Sequence, residues 1–256
     1  MIKDLSVESK SLLFAKLSNI AYLDPAESNQ PFSDLGFYSI FFENNGSQAY
    51  CLTNKDDVII VCRGTQPTEF KDIVADIRLK LVPSSSGNGK VHKGFKASVD
   101  NLWEPMTKLL RQYGRKRDVY VTGHSLGAAM ALYITQELEF AGYQPKVLMS
   151  FGQPRLGNSD YVAQIKTEHY RFVNCNDMVT HVPPSALLFK HHGMLCYINF
   201  YGNIRPLSNY QRFKDSLRAR WRCWRKGQLF DGLYDHNMGL YIQKLTNIRD
   251  TGQEFD

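Results

Sequence analysis

The sequence contains no hydrophobic run that approaches the length of about 20 residues needed for a transmembrane helix. Its longest strand-like apolar run, Val58–Cys62, is only a few residues long. The first residues also lack the apolar centre of a secretory signal peptide. These absences predict a protein that is cytoplasmic or peripherally bound to a membrane, and they leave signal-independent secretion open.

Paired cysteines are absent as well. The five cysteines are an odd number, are scattered singly, and include no Cys-x-x-Cys motif. Neither a disulfide framework nor a zinc site is therefore indicated, and reduced thiols in an intracellular compartment are expected. No metal and no cofactor are predicted for this chain.

Acidic residues are scarce in one segment in particular. The segment 205–226 contains eight Lys and Arg residues against one acid, Asp215, so it is more positive than the whole chain, whose net charge is +6. The basic character is therefore local, which indicates one charged face rather than a general affinity for polyanions. No nucleic-acid-binding motif accompanies the charge, and no nucleic-acid partner is expected.

The order of the apolar patterns predicts an α/β fold. A β-hairpin is expected around Asn45-Gly46, a buried strand at Val58–Cys62 and a helix at Phe95–Tyr113. Strands that alternate with helices through the middle of the chain predict a mostly parallel central sheet with helices on both faces. There is no internal repeat, and the length fits a single domain, 1–256.

A Gly-x-Ser-x-Gly motif lies between a predicted strand and a predicted helix. Gly123 and Gly127 flank Ser125 at two residues on either side, where a Cβ would collide in a turn sharp enough to hold the serine in an unusual backbone conformation. This strand–turn–helix context is typical of a nucleophilic serine. The N–H of Leu126 points the same way and is free to stabilise an oxyanion.

A nucleophilic serine needs a base and an acid that orients the base. In the α/β-hydrolase topology, the acid and then the histidine follow the serine along the chain. Asp177 directly follows a predicted strand, and His236 opens a predicted final helix that would hold it rigidly, so we select this pair. A turn residue and a helix-terminal polar group are the structural alternatives for these two positions. The other candidates are His181, His191 and His192 for the base, and Asp160, Asp231 and Asp235 for the acid.

A second oxyanion donor is expected in the loop after another central strand. Arg63-Gly64-Thr65 follow the strand Val58–Cys62 immediately, and Thr65 can offer both its N–H and its hydroxyl. We therefore assign Thr65 to the oxyanion hole. A simple strand-ending turn at Gly64 is the alternative.

Several of these motifs together resemble the class 3 lipase family, the fungal-lipase-like branch of the α/β-hydrolases. Between Arg63 and Ile242 the matching motifs, in the family's order, are Arg63-Gly64-Thr65, 91–95, 122–128, 150–158, 176–184 and Asp235-His236. The resemblance implies an α/β-hydrolase fold, with Ser125, Asp177 and His236 as the catalytic residues. It also implies Thr65 and Leu126 as the oxyanion donors. The chain differs from the family's secreted fungal members in its lack of an evident secretion signal and in the basic insertion 205–226.

The family is known for short lids, and the segment 66–78 occupies the matching place. Its apolar residues Phe70, Ile73, Val74 and Ile77 fall at i, i+3, i+4 and i+7, which places them on one stripe of a helix. A lid over an acyl pocket needs such a stripe, although any surface helix packed on a core needs it too. With the lipase motifs present, we interpret the segment as a lid.

The basic insertion is predicted to contain a second amphipathic helix. Its apolar stripe consists of Tyr210, Phe213, Leu217, Trp221 and Trp224. One interpretation is a helix docked on the sheet by this aromatic face, because Trp and Phe commonly anchor cores. The other is a helix that lies in an anionic membrane interface. The residues that would contact such a membrane are Arg212, Lys214, Arg218, Arg220, Trp221, Arg222 and Trp224.

The sequence thus predicts a serine hydrolase of triacylglycerol lipase type that cleaves carboxylic esters of lipids through an acyl-enzyme intermediate. A phospholipase A1-type enzyme and a small-ester carboxylesterase are alternatives on the same scaffold. A catalytically silent, lipase-like interaction module is the alternative without enzyme activity.

Overall fold

A computed structural model describes residues 1–64, 80–85, 87–113, 116–225 and 234–253, apart from the side chains of Asn209, Arg222 and Cys223. Within these ranges a seven-stranded sheet organises the chain. Across the sheet the strands are β1 (Tyr38–Asn44), β2 (Ser47–Thr53), β3 (Asp57–Cys62), β6 (Asp118–His124), β7 (Val147–Phe151), β8 (His169–Asn174) and β9 (Met194–Ile198). Two short strands, β4 (Leu81–Pro83) and β5 (Lys90–His92), form a separate antiparallel pair.

The helices connect and flank these strands. They are α1 (Val7–Ile20), α2 (Pro25–Asp34), α3 (Lys93–Tyr113), α4 (Leu126–Phe140), α5 (Ser159–Val162), α6 (Asn209–Arg225) and α7 (Met238–Asp250). Short 3-10 turns span Ile2–Asp4, Met178–His181 and Ser185–Leu187. Among the described residues, no helix is both long and apolar enough to cross a bilayer.

The predicted direction of the strands is confirmed. From β3 to β9 every neighbouring pair is parallel, while β1 and β2 are antiparallel additions at one edge. Every residue of β3 is buried, which explains why this strand reads as a continuous apolar run instead of an alternating one. The predicted hairpin is also present, and its turn residues Asn45 and Gly46 adopt φ angles of 50° and 74°.

Hydrophobic cores lie on both faces of the sheet, as the α/β pattern predicts. One core is built on α1 and α7, where Phe14, Leu17 and Tyr241 are fully buried. The other is built on α3 and α4, with Leu102 and Leu132 among its buried residues. Full burial of such a side chain contributes about 1.5–3 kcal/mol relative to exposure. The two cores therefore hold the parallel strands, and the loops at their carboxyl ends, in fixed positions.

The interpretation of α6 as a helix docked by its aromatic face is wrong. Among the described side chains of this helix, Asp215 and Ala219 are buried, and the aromatic stripe faces outward, with Trp221 58% and Trp224 73% exposed. The Asp215 carboxylate accepts hydrogen bonds from the Tyr197 hydroxyl at 3.0 Å and from a main-chain N–H, that of residue 200, at 2.8 Å. A buried acid needs such donors, so the helix docks through its single acid and a small side chain.

Candidate active site

Ser125 occupies the sharp turn between β6 and α4. Its backbone has φ 60° and ψ −131°, a region that a residue with a side chain seldom adopts, at a cost of about 1–3 kcal/mol. Two main-chain hydrogen bonds hold the turn, from Ser125 N–H to the Phe151 carbonyl at 3.0 Å and from Ala128 N–H to the Ser125 carbonyl at 3.0 Å. The Ser125 hydroxyl is buried and has no hydrogen-bond partner among the described residues. The turn therefore presents a hydroxyl that is not committed to a structural bond.

The glycines of the motif allow this turn to form. A Cβ on Gly123 would lie 2.5 Å from the carbonyl oxygen of Gly127. A Cβ on Gly127 would collide with the main chain at the end of β3, including the Arg63 carbonyl carbon at 2.8 Å. Real Cβ atoms do not tolerate such contacts, so the predicted reason for both glycines is confirmed.

Asp177 and His236 form a buried pair, although they are far apart in the sequence. His236 Nδ1 lies 3.0 Å from Oδ1 and 2.9 Å from Oδ2 of Asp177, and the carboxylate side chain is fully buried. Two further donors hold the carboxylate, the Val179 N–H at 3.0 Å and the Tyr241 hydroxyl at 2.6 Å. Because an ionised carboxylate accepts up to four hydrogen bonds, these contacts fix its orientation. Asp177 therefore holds the imidazole with Nδ1–H toward itself and Nε2 turned away.

His236 lies just before the final helix and not within it. Asn237 is the N-cap of α7, and its side chain accepts a hydrogen bond from Gly239 N–H at 2.8 Å. The prediction that His236 opens the helix therefore misplaced it by two residues, because Asn is among the preferred N-cap residues. The loop before α7 is also held by β8, since the Asn174 amide donates to the Asp235 carbonyl at 2.8 Å.

The main chain at Gly152 lies close to this pair and connects it with the turn of Ser125. Gly152 follows β7 with a φ of 57°, and a Cβ on it would lie 2.7 Å from Asp177 Oδ2 and 2.8 Å from His236 Nδ1. The preceding residue, Phe151, accepts the main-chain hydrogen bond from Ser125. The serine, the histidine and the acid therefore meet at the carboxyl ends of β6, β7 and β8.

His124 supports the imidazole of His236 from its other side. The two rings stack with their centroids 4.4 Å apart, and His124 Nε2 donates to the His236 carbonyl at 2.9 Å. His124 Nδ1 then accepts from the Tyr22 hydroxyl at 2.9 Å. Burial, followed by the nearby His236, lowers the pKa of His124 well below its ordinary value. His124 is therefore a neutral positioning residue.

We expect acid to destabilise the fold through three histidines, of which His124 and His169 are buried and His191 is half-buried. Burial lowers the pKa of His124 and His169 well below 6.5 and that of His191 to about 2, whereas the unfolded chain takes up these protons near its ordinary pKa. The contribution of the three histidines to the free energy of unfolding is therefore complete above about pH 6.5. Below that pH, each histidine lowers the free energy of unfolding by about 1.4 kcal/mol per pH unit. Urea unfolding at pH values from 7 to 5 measures how steeply the free energy of unfolding changes with pH. This slope reports the number of protons taken up on unfolding, and H169Q should lower that number by about one. An equal slope in H169Q would contradict the prediction.

The other histidines that the sequence offered as bases have different partners. His191 Nε2 donates to the Thr180 carbonyl at 2.9 Å, and His192 Nδ1 lies 3.1 Å from His169 Nδ1. His181 is exposed on a 3-10 turn. Of the four histidines weighed, His236 is the one that the structure places against Asp177.

The other acids are also engaged elsewhere or fall outside the described ranges. Asp160 accepts a hydrogen bond from the Asn158 amide at 3.2 Å at the start of α5. Asp235 accepts from the Asn176 N–H at 3.0 Å, so it clamps the main chain beside Asp177. Asp231 lies outside the described residues.

One of the two predicted oxyanion donors can be placed. Leu126 is the first residue of α4, where a helix N–H has no acceptor within its own helix. The end of β3 lies alongside, because a Cβ on Gly64 would be 3.3 Å from the Ser125 Cβ. Thr65, the second predicted donor, lies outside the described residues. So does the predicted lid 66–78, with Phe70, Ile73, Val74 and Ile77.

Sequence reasoning missed the residues that hold the pair in place. Tyr241, His124 and Gly152 each reach the Asp177–His236 pair, and none of them was predicted to contact it. Gly152 had the clearest signal, because it directly follows a buried strand next to the nucleophile strand. Tyr241 looked like an ordinary apolar-face residue of the final helix.

Comparisons with known proteins point to one family. A family model described as lipase (class 3) matches residues 59–187, just over half of the chain. A lipase of Rhizomucor miehei is 36% identical over 152 residues, which cover 53% of this chain and 40% of that protein. The chain spans less than half the length of the curated relatives it matches.

Solved structures are similar over more of the chain. A triacylglyceride lipase of Rhizomucor miehei superposes with a TM-score of 0.71 at 24% identity, covering 93% of this chain and 98% of that one. A triacylglycerol lipase whose catalytic centre is described as a serine protease triad has a TM-score of 0.66 at 25% identity, covering 76% and 82%. The chain therefore has the α/β-hydrolase fold and belongs to the class 3 lipase family.

Proposed function

We propose that the chain is a serine hydrolase that cleaves carboxylic esters of lipids through an acyl-enzyme intermediate. The observation that carries the proposal is the buried hydrogen bond between His236 and Asp177, beside the strained turn that presents Ser125. An acid, an imidazole and an uncommitted hydroxyl in this order form the constellation that activates a serine. Family membership supports the same chemistry.

In the proposed first step, Ser125 Oγ attacks the ester carbonyl while His236 Nε2 takes its proton. Asp177 keeps the other ring proton on Nδ1 and stabilises the imidazolium that forms. The Leu126 N–H and Thr65 are the proposed donors to the oxyanion of the tetrahedral intermediate. His236 then returns its proton to the leaving alcohol, which leaves an ester on Ser125.

The second step repeats this chemistry with water. His236 removes a proton from water, the hydroxide attacks the acyl carbonyl, and the same donors stabilise the second oxyanion. Collapse releases the carboxylic acid, and the proton returns to Ser125 Oγ. The chain's own residues provide every proton transfer that the reaction needs.

A lipid is the substrate class that the family supports best, since the relatives are named lipases and one solved relative is a triacylglycerol lipase. The proposed lid at 66–78, with its apolar stripe, fits an acyl substrate. A phospholipase A1-type enzyme and a small-ester carboxylesterase remain alternatives, and a silent interaction module remains the non-enzyme alternative.

A series of p-nitrophenyl esters from acetate to palmitate tests the substrate class. For a lipase, kcat/KM should rise about fourfold for each added methylene until the acyl site is filled, because burying a CH2 group is worth about 0.8 kcal/mol. An optimum at acetate would favour the small-ester carboxylesterase. No turnover at any length would favour a selective phospholipase or the silent module.

We further propose that α6 binds an anionic membrane surface. Its aromatic side chains are exposed, and basic groups lie over two of them, Lys214 Nζ at 4.4 Å from the Tyr210 ring centre and the Arg225 guanidinium at 4.8 Å from that of Trp221. An outward aromatic stripe bordered by cations suits the headgroup region of a bilayer. The contacts proposed are Arg212, Lys214, Arg218, Arg220, Trp221, Arg222 and Trp224, of which the side chain of Arg222 lies outside the described residues.

Vesicle co-sedimentation tests this surface. Binding to vesicles containing phosphatidylserine should exceed binding to pure phosphatidylcholine, because each basic residue near an anionic surface contributes about 1 kcal/mol. Replacing Trp221 and Trp224 with serine should lower binding about tenfold or more. The matched control is Phe140→Ser, since Phe140 is equally exposed at the end of α4. Equal binding to neutral and anionic vesicles would rule out the electrostatic anchor.

A further inference from the structure

A basic cavity lies between α6, the ends of β8 and β9, and the loop that carries Asp177. Its volume is about 440 Å³, and neither Ser125, Asp177 nor His236 lines it. No carboxylate lines it among the described residues. The cationic and titratable side chains that line it are Arg155, Arg171, Arg212, Arg220, His181 and His191.

Arg171, on β8, is the unusual member of this cavity. Only 8% of the residue is exposed, its Nε is buried without a hydrogen-bond partner in the described part of the chain, and no ion pair found there includes it. Burial, followed by the charge of Arg155, lowers the pKa of its guanidinium to about 10. Proteins almost never bury an arginine without a compensating anion.

The acid of helix α6, Asp215, is not the missing anion for Arg171. Its carboxylate accepts hydrogen bonds from the Tyr197 hydroxyl and from a main-chain N–H in the turn after β9. A second polar atom of the cavity is also unsatisfied within the described ranges, the buried Nδ1 of His191. Because His191 Nε2 donates to the Thr180 carbonyl, this Nδ1 is an acceptor, so it can accept from the hydroxyl of a protonated phosphate but cannot donate to one. The cavity therefore concentrates positive charge and polar atoms around space that the described side chains leave open.

We propose that this cavity binds the phosphate group of a ligand, at a site separate from the candidate nucleophile. Guanidinium groups match phosphate oxygens in geometry, and several of them favour a multiply charged phosphate over a single carboxylate. The volume falls within the range of about 300–1,000 Å³ that is usual for ligand sites. Asn176 and Thr180 line the cavity and flank Asp177 in the sequence, so a bound phosphate contacts the loop of the candidate acid. The site does not depend on ester hydrolysis.

Two sources can supply the phosphate group, a free phosphate ion and the headgroup of a phospholipid. Calorimetry at constant ionic strength should therefore compare inorganic phosphate with dihexanoyl phosphatidic acid below its critical micelle concentration. We expect saturable binding of phosphate by the wild-type chain. Arg171→Met should weaken it about 30-fold or more, because a buried charge contact is lost. The matched control is Arg249→Gln, since Arg249 is an exposed arginine of α7 whose loss removes the same charge.

A second variant keeps the test decisive if Arg171→Met does not fold. Ser216 lines the cavity from α6, and Ser216→Glu should place a carboxylate beside the guanidinium groups. It should raise the melting temperature in phosphate-free buffer and weaken phosphate binding about 30-fold or more, because the chain then carries its own anion.

The outcomes separate cleanly. Phosphatidic acid that binds about tenfold more tightly than inorganic phosphate would identify a lipid headgroup site, and similar affinities would identify a site for free phosphate. Failure of both ligands to bind the wild-type chain would overturn the proposal. Binding in Ser216→Glu that equals the wild type would overturn it as well. Loss of ester hydrolysis alone would leave these binding results unaffected, so the two proposals can fail independently.

Discussion

Replacing Ser125 with alanine should lower kcat/KM for an ester substrate by about four to six orders of magnitude while leaving the fold intact. The activity loss is expected because the hydroxyl is the proposed nucleophile. The fold should survive because the Ser125 hydroxyl makes no hydrogen bond to the described residues, and alanine keeps the two main-chain bonds of the turn. Steady-state kinetics and thermal unfolding of the same samples measure both effects.

The control for this experiment is Ser185→Ala, because Ser185 is an exposed serine on a 3-10 turn beyond the candidate acid. It should retain wild-type kinetics. If Ser125→Ala kept activity within about tenfold of the wild type, another group would have to be the nucleophile.

Replacing Gly152 with alanine should lower kcat about 100-fold or more with little change in KM, although this residue carries no functional group. The new Cβ would lie within 2.8 Å of Asp177 Oδ2 and of His236 Nδ1 and Cε1, so the pair has to move. A shift of about 1 Å in a catalytic group is enough for a loss of this size. KM should change little, because the collision is with the base and the acid.

Gly142→Ala is the matched control for the backbone. Gly142 adopts a φ of 85°, yet a Cβ on it meets nothing within 4 Å. It therefore carries the strain of alanine at positive φ, about 1–2 kcal/mol, without a steric collision. We expect Gly142→Ala to lose stability and keep its activity. If both variants lost activity equally, strain alone would explain the result and the packing of Gly152 against the pair would not matter.

The residues of the candidate site could be selected from the sequence because they have local signals. Ser125 is marked by flanking glycines between a strand and a helix, and Asp177 directly follows a strand of the parallel sheet. Parallel strands bring their carboxyl ends to the same edge of the sheet, so a parallel sheet predicts that the loops after these strands lie close together. Whether Thr65 and Leu126 form the oxyanion hole stays a prediction, as does the lid.

The supporting contacts were not predictable in the same way. The Tyr241 hydroxyl reaches Asp177 over 64 positions, and His124 reaches the His236 main chain over 112. Such contacts depend on how helices α1 and α7 pack against the sheet, which no periodicity reveals. Their residue types also fit ordinary core positions.

Helix α6 shows a different limit of prediction from sequence. Its periodicity correctly predicted a helix with one aromatic stripe, but not the face on which the helix docks. The docked face is set by Asp215, whose partners Tyr197 and the turn after β9 come from another part of the chain. The surroundings of Arg171 were equally hidden, because the cavity that it lines is formed by residues from several distant parts of the chain.

The central claim is that Ser125 is a nucleophile activated by His236 and Asp177. Its most direct test is to treat the folded protein with a fluorophosphonate probe and to map the modified peptide by mass spectrometry. We predict one adduct, on Ser125, that disappears when the protein is first heat-denatured or when His236 is replaced with alanine. A wild-type protein that stays unmodified, or that carries the adduct on another residue, would contradict the account.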